Sequence, residues 1–163
     1  MRLFVMRHGQ AEATSRSGRD EDRELSSEGR HDVERTAREA LESIARGPGP
    51  SELRIVASSL RRAQQTAAIV RDCLGVVRAV ETSDALAPEA SPALRWADVA
   101  RSEDVLLVSH MPHVERLVRH LVREPLDHVL RDGFRTAMMV ELEWGEHANG
   151  WILNGVFSPK RAR

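Results

Sequence analysis

Short apolar runs alternate with stretches of helical period along this chain, and that alternation restricts its fold more than any other feature. Leu3–Met6 has the character of a buried strand. Ser26 or Ser27 can cap a helix whose apolar positions Val33, Ala37, Ala40, Leu41 and Ile44 share one face. Gly47-Pro48-Gly49-Pro50 stops that helix. Leu53–Ala57 is a second strand, followed by a helix with Leu60, Ala63, Ala67, Val70 and Leu74 on one face and Gly75 at its end. Val76–Val80 reads as the third strand, and Ser91-Pro92 as the start of a short helix to about Ala100 with proline at its favoured first position. Val105–Val108, between Asp104 and Ser109, suits a central strand, and a helix follows from about His113 to Arg123. Met138–Trp144 and Trp151–Val156 close the chain as a hairpin. The repeated β-α order predicts a three-layer α/β/α sandwich on a mostly parallel sheet with an antiparallel member, as one domain over 1–163.

Composition narrows the function classes. With 163 residues, 41% hydrophobic and 30% charged, the chain reads as one ordinary globular core. A net charge of −1 provides no basic field for nucleic acid. No run approaches a membrane span, and Arg7 follows Leu3–Met6 too soon for a signal peptide. Cys73 is the only cysteine, which rules out an internal disulfide and a Cys-rich zinc site and fits the cytoplasm. The basic tail from Lys160 to Arg163 is expected to be solvated, and residues 14–24, polar throughout, read as a mobile loop.

The chemistry gathers at strand ends. Arg7 and His8 stand side by side where the first apolar run stops, and Gly9 frees the backbone after them. The second strand runs into Ser58-Ser59-Leu60-Arg61-Arg62-Ala63-Gln64-Gln65-Thr66, and the strand at 105–108 runs into Ser109-His110-Met111-Pro112-His113. Parallel strands end on one edge of a sheet, where ligands bind. Arg7, His8, Arg62 and His110 are therefore expected to converge, with Arg61 left outside. His113 is expected on the rim, on the first turn of its helix. The other histidines, Cys73 and the tryptophans read as surface or packing residues.

In these segments the chain resembles the histidine phosphatase superfamily, also called phosphoglycerate mutase-like. Arg7-His8-Gly9 looks like its signature, and Ser58 through Arg62-Ala63-Gln64-Gln65-Thr66-Ala67 like its second motif. Ser109-His110 looks like its late histidine, and Arg23-Glu24-Leu25-Ser26-x-x-Gly29 like its lead-in to the first helix, with Glu24 where relatives often have proline. The short length, Leu86-x-Pro88 and Ser109-His110-x-Pro112 resemble the compact SixA-like branch of phosphohistidine phosphatases. The resemblance implies catalysis by His8, Arg7, Arg62 and His110, with Arg7, Arg62, His110 and Arg23 binding phosphate. It implies neither cofactor nor metal.

The residues fit that chemistry on their own terms. Phosphoryl transfer is mostly positioning and electrostatics. Arg7 and Arg62 can fork hydrogen bonds to phosphoryl oxygens. Neutral His8 can attack phosphorus if its other ring nitrogen is pinned by a backbone carbonyl. His110, as an imidazolium, would donate to a phosphoryl oxygen. A proton donor is the weak point: the candidates are Asp84 and Glu89, and Ala85 stands where compact relatives often carry glutamate. A phosphohistidine leaving group titrates near neutrality and needs no strong acid. The expected substrate is a phosphohistidine-bearing protein, with inorganic phosphate as product. The alternatives are a small phosphorylated substrate, as in a sugar or nucleoside phosphomonoesterase, and a non-catalytic phospho-ligand binding module.

Overall fold

In the computed structural model, which describes residues 1–159, six strands form one sheet. They are β1 (Arg2–Arg7), β2 (Arg54–Ala57), β3 (Glu81–Thr82), β4 (Val105–Ser109), β5 (Met139–Gly145) and β6 (Gly150–Phe157). The basic tail from 160 lies outside the described residues. The spatial order is β3-β2-β4-β1-β5-β6. β1, β2, β3 and β4 pair in parallel, and β5 runs against both β1 and β6. β5 is thus the antiparallel member.

Helices cover both faces, because the strands bury side chains on both. Phe4 and Met6 of β1 pack with Val33, Ala37 and Ile44 of α1 (Ser27–Ala45) and Ala67 and Val70 of α2 (Arg61–Leu74). Leu3 and Val5 point the other way, into a core with Trp96 of α3 (Leu94–Val99) and Val114, Leu117 and Val118 of α4 (His113–Leu121). An alternating strand buried twice reads as a continuous apolar run, which is what Leu3–Met6 presents. Among the described residues no helix is long and apolar enough to cross a membrane.

Three local expectations need correction. The third strand is not Val76–Val80 but Glu81–Thr82. Gly75 turns left-handed at φ 68°, the Val76 N–H returns to the Arg71 carbonyl, and Val77 is 76% exposed. Helix capping thus overrides the β-propensity of the valines. Strand pairing starts where Glu81 meets the fork of Arg54 at 2.8 and 2.9 Å. Ser91-Pro92 does not open α3, which is flanked by Ala93 as its N-cap. The Ser91 carbonyl instead faces His113 Nε2 at 3.2 Å. Residues 14–24, expected as a mobile loop, hold a 3-10 turn at Asp20–Asp22.

The start of α1 shapes the site. Ser26 caps it, accepting from the Gly29 N–H at 3.0 Å. A Cβ on Gly29 would stand 2.1 Å from the Gln10 carbonyl oxygen, and one on Gly9 2.7 Å from Val33 Cγ2 and 2.8 Å from the Gly29 oxygen. Gly9 is required for this close approach, not for an unusual dihedral, since its φ is not positive. Overpacking of a rigid contact typically costs about 1–3 kcal/mol. Gly29→Ala is expected to lose at least that much, read as a lower urea midpoint at unchanged m-value.

Candidate active site

Register brings the strand ends together. Arg7 pairs with Ser109 across β1 and β4, and Ala57 pairs with Val108 across β2 and β4. The next residues, His8, Ser58 and His110, therefore emerge side by side on one edge. The His8 N–H donates to the Ser109 carbonyl at 3.0 Å, and the Ser58 N–H to the Val108 carbonyl at 3.1 Å. The His8 and His110 rings lie 4.9 Å apart, centre to centre.

Each side chain is held from behind. His8 Nδ1 sits 2.6 Å from the Gly9 carbonyl oxygen, which can only accept. The proton of neutral His8 therefore lies on Nδ1, and Nε2 keeps its lone pair. The Gly9 N–H donates to Thr66 Oγ1 at 3.1 Å, and that hydroxyl donates to the Arg62 carbonyl at 2.7 Å. Thr66 thereby ties the second motif to the first. Arg7 Nη1 donates to the Phe134 carbonyl at 2.9 Å. Arg7 Nε and His110 Nδ1 are buried with no protein partner among the described residues.

The segment before β5 completes the back wall. The Ala137 N–H donates to the His8 carbonyl at 3.1 Å, and Thr36 Oγ1 donates to the Ala137 carbonyl at 2.8 Å. Ala137 lies at φ 58°, a left-handed backbone that glycine favours. Two buried hydrogen bonds hold an alanine there against His8.

These groups open into a cavity of about 440 Å³ lined by Arg7, His8, Gln10, Ala11, Asp20, Arg23, Arg62, Pro88, His110, Met111 and Thr136. All of Arg7, His8, Arg62, His110 and Arg23 are therefore together. Arg61 lines a neighbouring groove of about 670 Å³ and pairs with Glu24 at 2.6 Å. Asp84 and Glu89 do not line the cavity. The carboxylate that does is Asp20, 3.0 Å from Arg23 Nη1 and 3.1 Å from Arg62 Nη2, while its backbone oxygen accepts from Arg62 Nη1 at 3.0 Å. Asp20 carries no signal in the sequence, because it sits in a polar loop with no periodicity. His113, expected on the rim, is fully buried between Ser109 Oγ at 3.1 Å and the Ser91 carbonyl at 3.2 Å. Its four-residue offset from Ser109 carries it down the first turn of α4, toward the core.

Burial sets the protonation states. Desolvation pushes His8 down to about 4 against the Gly9 hydrogen bond, with the charges of Arg62, Arg7 and Arg23 adding to the shift. His110 falls to about 3, again by burial first, then by His8 and Arg62. Burial thus opposes the imidazolium expected for His110. Asp20 lies below its ordinary range, through Arg23 first and then Arg62. A carboxylate so held is ionised and is a poor proton donor.

A family described as the histidine phosphatase superfamily (branch 1) matches residues 3–88. The chain belongs to that superfamily. No curated protein sequence matches it significantly. The protein histidine phosphatase SixA complexed with tungstate is 27% identical with a TM-score of 0.78, covering 98% of this chain and 97% of that one. A protein from Agrobacterium tumefaciens assigned as phosphohistidine phosphatase SixA is 26% identical at a TM-score of 0.79, with 97% of each chain covered. A mycobacterial glucosyl-3-phosphoglycerate phosphatase shares the fold at 21% identity and a TM-score of 0.62, over 94% of this chain and 97% of its own.

The two histidines predict an acid-sensitive fold. Both are neutral when folded down to about pH 4 and 3, whereas an unfolded histidine takes its proton near pH 6.5. The unfolded state binds more protons within that window, so stability rises with pH there and is flat above it. Urea melts are expected to lose up to about 1.4 kcal/mol per pH unit per histidine on acidification below about 6.5. His8→Asn should shallow that slope.

Proposed function

We propose that the protein is a phosphatase that removes the phosphoryl group from phosphohistidine on another protein, through a phospho-His8 intermediate. The observation that carries this reading is the pinned Nδ1 of His8, which leaves Nε2 as a lone pair in a cavity shared with Arg7, Arg62 and His110. In the first step His8 Nε2 attacks phosphorus, and the P–N bond of the substrate breaks. The leaving imidazole takes the electron pair and then a solvent proton. In the second step water attacks phosphorus and the P–Nε2 bond breaks. Its electron pair returns to His8, the water proton goes to solvent, and inorganic phosphate departs.

Arg7, Arg23 and Arg62 supply the positive charge that the equatorial oxygens need, and we propose that turnover requires no metal. The ionised Asp20 favours a leaving group that needs no enzyme acid. Imidazole qualifies, since it titrates near neutrality, whereas a sugar alkoxide does not. The near-full-length likeness to SixA structures supports the same substrate class. A cytoplasmic setting fits the single cysteine, Cys73. A small-molecule phosphomonoesterase is the second reading, since the fold is shared with a phosphatase of glucosyl-3-phosphoglycerate.

Phosphate release from a phosphohistidine-carrier protein, p-nitrophenyl phosphate and sugar phosphates separates these readings. Turnover is expected to be fastest on the phosphoprotein, to persist in EDTA and to vanish in His8→Ala. Arg62→Ala should lose about 10²–10³-fold in kcat, the usual cost of one transition-state donor. Faster turnover of a sugar phosphate favours the second reading. Equal activity of wild type and His8→Ala, or loss of turnover in EDTA, contradicts the covalent metal-free route. Phosphoprotein binding with no release identifies a binding module.

A further inference from the structure

We propose that Ser58 is a positioning residue: its hydroxyl, donating to His110 Nε2, holds His110 in the neutral tautomer with its proton on Nδ1, where a phosphoryl oxygen can accept it. This rests on the phosphoryl-transfer reading above and adds a residue to it. Ser58 is fully buried, one residue past β2. Its Oγ makes one side-chain contact among the described residues, a short hydrogen bond to His110 Nε2.

Hydroxyl and ring nitrogen can each donate or accept, so the tautomer follows from what every choice leaves over. If Nε2 carried the proton, Ser58 would accept, and its own hydroxyl hydrogen would be buried without an acceptor. His110 Nδ1, also buried, would then be an orphaned lone pair. If Ser58 donates instead, only the Nδ1–H remains unpaired, on a residue that lines the proposed phosphoryl site. Leaving buried polar groups unmade is costly, so the second arrangement wins.

The third choice, a doubly protonated ring, is opposed by its surroundings. The ionisable groups that act most strongly on His110 are His8 after β1, Arg62 in α2, Asp20 in the 14–24 loop and His113 at the start of α4, and Arg7 and Arg23 line the same cavity. Asp20 alone among the strongest contributors favours the imidazolium, and burial outweighs it. A neutral Nδ1–H donor does not titrate near neutrality. An imidazolium donor would be lost as pH rises.

Nitrogen NMR on the histidines of the resting protein tests this without turnover. At neutral pH His110 is expected to show a protonated Nδ1 and an unprotonated Nε2, and Ser58→Ala is expected to disturb that pattern. An Nε2–H tautomer or an imidazolium in the wild type overturns the proposal. In kinetics, Ser58→Ala should lower kcat at least tenfold with little change in KM, and Ser58→Thr should restore much of it. A folded Ser58→Ala protein with wild-type kcat and an unchanged His110 spectrum also overturns it. Failure of the phosphatase reading has a separate signature: the Nδ1–H tautomer is present but His8→Ala leaves phosphate release unchanged.

Discussion

The hydrogen bond from His8 Nδ1 to the Gly9 carbonyl is the contact on which the site depends. A histidine has two ring nitrogens, and one must be a donor for the other to be a nucleophile. Here a backbone oxygen one residue away makes that assignment. The geometry holds because Gly9 is itself fixed, by Thr66 at its N–H and by the close approach of Gly29 and Val33. Two glycines, the capping serine of α1 and the threonine of α2 thus stand in one chain of contacts behind that ring.

Charge balance within the cavity is the second constraint. Three arginines border two histidines that burial keeps neutral. Positive charge is therefore carried by groups that do not titrate, and in the proposed mechanism the neutral histidines are left to attack and to donate. Asp20 offsets part of that charge in the resting protein by pairing with Arg23 and Arg62. In the proposed mechanism a phosphoryl group brings negative charge to the same arginines, so Asp20 and substrate would draw on the same donors.

Much of this was legible in the sequence, for identifiable reasons. Strands buried on both faces leave unbroken apolar runs, so β1 and β4 could be read directly, and parallel order then predicted that Arg7, His8, Arg62 and His110 meet. What escaped was set by single tertiary contacts. The third strand lies past Val76–Val80 because helix capping at Gly75 and the Arg54–Glu81 pair outweigh valine propensity. His113 lies in the core rather than on the rim because its partners, Ser109 and the Ser91 carbonyl, come from different segments. Asp20 had no pattern to betray it. Phe134 and Ala137, which hold Arg7 and the His8 backbone, lie in a segment whose role is visible only in its hydrogen bonds.

The regiochemistry of the phosphorylated enzyme tests the central claim most directly. Phosphohistidine exists as Nδ1- and Nε2-linked isomers that phosphorus NMR and fragment mass spectrometry of an alkaline-quenched reaction can tell apart. The pinned ring predicts phosphate on His8, linked through Nε2. Phosphate on Nδ1, on another residue, or on no residue during active turnover would contradict it.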